Sequence, residues 1–79
     1  MSTKIAPALE TIEAILEEVE EHSERARKIR IKMARTRKGS ESYLDLLSDL
    51  WVQLDVLQRK AEWAARTIDE YQESLPDED

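Results

Sequence analysis

The apolar positions of residues 43–75 fall on an unbroken rhythm. Tyr43, Leu47, Leu50, Leu54, Leu57, Ala61, Ala64, Ile68, Tyr71 and Leu75 are separated alternately by four and three positions. That spacing holds one stripe of a helix toward a partner. It predicts a single helix over about 42–75, roughly 50 Å long at about 1.5 Å per residue. Gly39, Ser40 and Ser42 mark its start, and Ser42 with Asp45 has the spacing of a capping box. Pro76 marks its end, opening an acidic tail over 76–79. Leu44 and Trp51 widen the stripe on one side beyond what a bare two-stranded coiled coil needs.

The first half is less regular. Ile5, Leu9, Ile12, Leu16 and Val19 keep the rhythm, and the apolar positions then move to His22, Ala26, Ile29, Met33 and Thr36. This predicts a helix over about 5–37 whose stripe drifts by one residue in its second part. Pro7 is tolerated only in a first turn, which sets the start between Thr3 and Pro7. Gly39 supplies a left-handed terminator. The alternation "KIRIKM" (Lys28–Met33) looks strand-like, but it is short and the chain offers no second strand to pair with it.

Two helices of similar length, joined by a turn at about 38–41, must lie antiparallel. The expected fold is therefore all-α: an antiparallel two-helix hairpin (αα-hairpin) forming one domain over residues 1–79. The broad stripe of the second helix calls for more cover than one neighbour gives. Dimerisation into a four-helix bundle is the simplest way to supply it, and a core this small usually needs such reinforcement.

Charge sharpens the picture. Residues 1–24 carry −6, residues 25–38 carry +8 and residues 39–79 carry −8, within a chain of net −6. In an antiparallel hairpin the basic segment lies beside Glu41, Asp45, Asp49 and Asp55, so pairing between the helices is the leading expectation for it. The outer cations Arg27, Arg30, Arg35 and Lys38 are candidates for contact with an acidic protein or a nucleic acid. Aromatic residues that would stack bases are missing from 25–38.

A second apolar set lies off the stripe. Val52, Val56 and Trp63 sit on the opposite side of the second helix from Leu47, Leu54 and Ala61, with Arg59 placed to stack on Trp63. Ile31 points into the basic face of the first helix. These five residues are the candidate protein-binding surface.

Chemistry is sparse. Cys is absent, which excludes disulfides and thiolate metal sites and fits a reducing compartment. His22, the one histidine, has Glu18 a turn before it but lacks the Glu-x-x-His spacing of a bundle metal site. No catalytic residue, metal, cofactor or small-molecule substrate is expected. No apolar run approaches the roughly 20 residues that span a bilayer, and "MSTKIAPALE" has no signal-peptide apolar region. A cytoplasmic location without membrane contact is the expectation. The function expected is that of a non-enzymatic interaction module: an adaptor, accessory subunit or inhibitor of a larger complex, of the small phage- or plasmid-regulator kind. Its partners would be a second copy, a larger protein, or both. The alternative is a nucleic-acid-binding regulator using residues 25–38.

Overall fold

The computed structural model describes residues 7–75 and contains two helices, α1 (Leu9–Ala34) and α2 (Glu41–Ser74), packed along their length. The Cα atoms span 59 × 24 × 19 Å, so the molecule is a rod two helices wide. Ile5, Pro76 and the acidic tail lie outside the described residues.

Both ends of α1 differ from expectation. Its first helical residue is Leu9, and the N-cap Ala8 gives no side-chain bond. Pro7 therefore precedes the helix instead of occupying its first turn. At the other end α1 stops at Ala34. The Arg35 N–H donates to the Lys32 carbonyl and the Thr36 N–H to that of Met33, both at 3.1 Å. These three-residue bonds tighten the last turn and close the helix. The Thr36 hydroxyl also donates to the Lys32 carbonyl at 2.7 Å. Gly39 does have a left-handed φ of 81°, but it lies in the connection, beyond the end of α1. It turns the chain into α2.

The cap of α2 is Ser40, not Ser42. Its extended backbone (φ −72°, ψ 163°) lets Oγ accept the Tyr43 N–H at 3.2 Å. Tyr43 occupies the third helical position, where a capping box would need an acid, so the Ser42–Asp45 pair does not form the cap. The connection thus covers residues 35–40. At the far end Leu75 is extended (φ −72°, ψ 142°), the conformation imposed on a residue that precedes proline.

The seam between the helices also differs. On α1 it runs through Ile12, Ile15, Val19, His22, Ala26, Ile29, Met33 and Thr36, all buried or half-buried. Those steps alternate three and four without a break, so there is no drift over the described residues. Ile15, only 1% exposed, is the best-buried large side chain among the described residues, while Leu9 and Leu16 are exposed. On α2 the seam uses Tyr43, Leu50, Leu57, Ala64 and Tyr71 together with Leu46, Gln53, Lys60 and Thr67. Leu47 and Leu54, expected within it, are 45% and 48% exposed. The helix is rotated so that every second seam member moves back by one residue, from Leu47, Leu54, Ala61 and Ile68 to Leu46, Gln53, Lys60 and Thr67, while the others stay.

Candidate functional site

The rotation of α2 is accompanied by polar groups in the seam, each of which is matched. His22 Nδ1–H donates to Gln53 Oε1 at 2.9 Å. Lys60 Nζ donates to Glu18 Oε1 at 3.0 Å. The buried Thr67 hydroxyl donates to the Trp63 carbonyl at 2.8 Å. Among the described residues no buried side-chain polar atom lacks a partner. The first two pairs cross between the helices and fix their stagger, whereas the Thr67 bond lies within α2. His22 is thereby a seam residue with a structural partner, and among the described residues no three acidic or histidine side chains converge on a metal position.

The hairpin presents two flanks. In an antiparallel pair, residues that follow the inner seam positions point to one side on both helices, and residues that precede them point to the other. The first flank carries Leu9 and Leu16 from α1 and Leu47, Leu54 and Ala61 from α2, with Leu44 and Trp51 just beyond. Six of these are large apolar side chains open to solvent, and Trp51 is the most exposed at 66%. Together they leave on the order of 500 Å² of apolar surface uncovered, as large as the largest patch on an ordinary monomer. The extra breadth that Leu44 and Trp51 gave the stripe was the sequence signal for this face.

The second flank is mixed. Arg25, Lys28 and Lys32 of α1 face Asp49, Val52 and Gln53 of α2 across a groove of about 370 Å³ floored by Ile29. Val52 is 50% exposed, Val56 is half-buried and Trp63 is 44% exposed. The cation over the Trp63 ring is Lys60, 5.2 Å from the centroid. Arg59 instead pairs with Asp55 at 3.0 Å. A residue four positions before a tryptophan competes here with one three before it, and Lys60 is already directed inward by Glu18. Ile31 is exposed on the outer side of α1, away from this group.

The basic segment does not pair across the hairpin as expected. Among the described residues the one ion pair between helices is Lys60–Glu18. Arg25 pairs with Glu21 and Arg27 with Glu24, both within α1. The acids of α2 near the connection do not reach the cations of α1: Asp55 is taken by Arg59, and Asp49 lines the groove without closing a pair. The cations divide between the flanks: Arg25, Lys28 and Lys32 line the second, whereas Arg30 and Lys38 line a small hollow with Met33 and Tyr43 on the first. Arg35 is the exposed C-cap of α1.

No family model, curated protein or solved structure gives a significant match to this chain. No helix of the described residues is long and apolar enough to cross a membrane.

Proposed function

We propose that this protein is a non-enzymatic interaction module, a helical hairpin that doubles into a four-helix bundle and serves a larger protein as adaptor, accessory subunit or inhibitor. The observation behind this reading is the row of six large apolar side chains left open along one flank. A hairpin in which Ile15 is the one large side chain fully buried among the described residues gains most by covering that row. With the first flank used for self-association, Val52, Val56 and Trp63 on the second are available to another protein, with Arg59 beside them and Ile31 apart from them on the outer side of α1.

Affinity capture from the native host tests this reading. The wild-type protein is expected to retain a stoichiometric partner that Val52→Asp and Trp63→Ala both lose while remaining dimeric. A wild-type dimer that retains nothing would count against an adaptor.

A second reading rests on the cations. Lys28, Arg30, Lys32, Arg35, Arg37 and Lys38 have no ion pair among the described residues, and an unpaired basic segment can neutralise phosphates. A gel-shift titration at low and moderate salt separates the two. Binding that falls steeply with salt and weakens on Arg30→Glu or Arg35→Glu supports the nucleic-acid reading; no shift at micromolar protein removes it.

A further inference from the structure

If a second copy covers the Leu47/Leu54 flank, as the reading above holds, the residues of that flank also decide its direction. On α2 the exposed row is graded in size. Between residues 47 and 65, Leu47, Trp51 and Leu54 come first and Gln58, Ala61 and Ala65 follow, with Leu44 and the half-buried Ile68 bounding the row at its two ends. A two-fold axis crossing α2 near residue 56 sets Trp51 on the partner's Ala61 and Leu47 on the partner's Ala65. Large side chains then fill the space that small ones leave, the interdigitation that close packing requires.

The same row on α1 is graded in charge. Leu9, Glu13, Leu16 and Glu20 precede Ser23, Arg27, Arg30 and Ala34. A two-fold axis near residue 21 sets Glu13 beside the partner's Arg30 and Leu9 on the partner's Ala34. Glu13 and Arg30 are exposed and have no ion pair of their own among the described residues.

The two centres come from different helices and different properties, yet they coincide in space. The His22–Gln53 and Glu18–Lys60 bridges fix the stagger of the hairpin. Midway between them, residues 56–57 lie opposite residue 20, so one axis serves both helices. The long-range charge agrees. Among the described residues, 25–55, the half nearest the connection, carry +4, whereas 7–24 and 56–75 together carry −8. We propose that two hairpins associate through this flank with their connections at opposite ends, α1 on the partner's α1 and α2 on the partner's α2. Each positive half then lies along a negative one. With the connections at the same end, positive halves would meet, and two apolar side chains, Leu47 and Trp51, would cover the partner's Arg30 and Arg27, against one, Leu16 on the partner's Arg27, in the proposed direction. Two such flanks bury on the order of 1,000 Å², about the size at which a specific interface becomes stable.

The absence of Cys makes a direct measurement possible. The full chain carrying Lys38→Cys, in the exposed connection, is spin-labelled once per copy, and its mass is taken by light scattering. A dimer with labels about 50 Å apart, as 1.5 Å per residue from the axis requires, supports the arrangement. A dimer with labels closer than about 25 Å overturns the direction but leaves self-association standing. A monomeric mass overturns the reading that a second copy covers this flank. As an independent check, Glu13→Arg is expected to weaken dimerisation about tenfold at low salt, and Arg30→Glu in the same chain to restore it. An unaffected or unrestored dimer rejects the Glu13–Arg30 contact and with it the direction.

Discussion

The two flanks of the hairpin are built from the same helices but by opposite means. The first holds Leu9, Leu16, Leu47 and Leu54, side chains with nothing to bond and area to bury. The second holds Glu18, Arg25, Lys32, Asp49 and the amphipathic pair Lys60–Trp63, whose polar ends reach solvent or each other. A single hairpin can tolerate the second flank in water, because charged ends stay hydrated while their stems lie on Ile29 and Val52. It gains nothing by exposing the first. The difference teaches that the apolar surface a single hairpin leaves uncovered is concentrated on one side, which is why the proposed second copy is placed there.

The comparison breaks most sharply with one charge on each flank. Leu54→Asp is expected to leave the helices formed but lower association at least a hundredfold, since symmetry buries two carboxylates near the axis, each costing about 2 kcal/mol or more. Val52→Asp on the other flank is expected to leave association within about threefold. Sedimentation of both variants, with far-ultraviolet circular dichroism for helix content, reads the contrast; equal effects would abolish it. Were Leu54 a residue of the intrachain seam, Leu54→Asp would instead unfold the hairpin.

Next in size is the seam that divides the flanks. Gln53→Leu strands the His22 N–H and is expected to cost about 1–3 kcal/mol, whereas adding His22→Leu should recover most of that loss. Thermal melts of the single and double variants give the answer, and an additive loss would show that the His22–Gln53 pair does not act as a unit. Ser40→Ala removes the cap of α2 and is expected to cost about 1 kcal/mol in either oligomeric state, measured by urea denaturation. Smallest is Arg59→Ala. Its ion pair with Asp55 is exposed and lies within one helix, so a change under about 0.5 kcal/mol is expected; a larger one would mean that Arg59 contributes to the second flank after all.

Much of the fold was legible in the residues. Gly39 and Ser40 gave the reversal, Leu75 before Pro76 gave the end of α2, and the 3-4 rhythm gave two helices. The seam was not. On α1 the rhythm from Leu9 through Ile12 can be continued by Ile15 or by Leu16, and periodicity from Leu9 favours Leu16. The unbroken run from Ile12 through Ile15 to Thr36 was the signal that could have decided it. On α2 the choice between Leu46–Gln53–Lys60–Thr67 and Leu47–Leu54–Ala61–Ile68 favours the second by hydrophobicity alone. The first became available because Glu18 and His22 stand on α1 at the height of Lys60 and Gln53. The cations failed as a guide for a related reason: their nearest acids within α1, Glu21 and Glu24, are one turn away and need no second helix.

The sequence by itself determined two antiparallel helices, the site of their reversal, and an apolar stripe on α2 wider than one neighbour can cover. Those properties are local or compositional: turn chemistry, helical period and the count of apolar positions act within a few residues. Tertiary structure alone decided which part of that stripe faces inward. Rotation of a helix by one seam position changes no local propensity. It is selected by groups more than thirty positions apart, His22 with Gln53 and Glu18 with Lys60, whose satisfaction in the seam turns Leu47 and Leu54 outward.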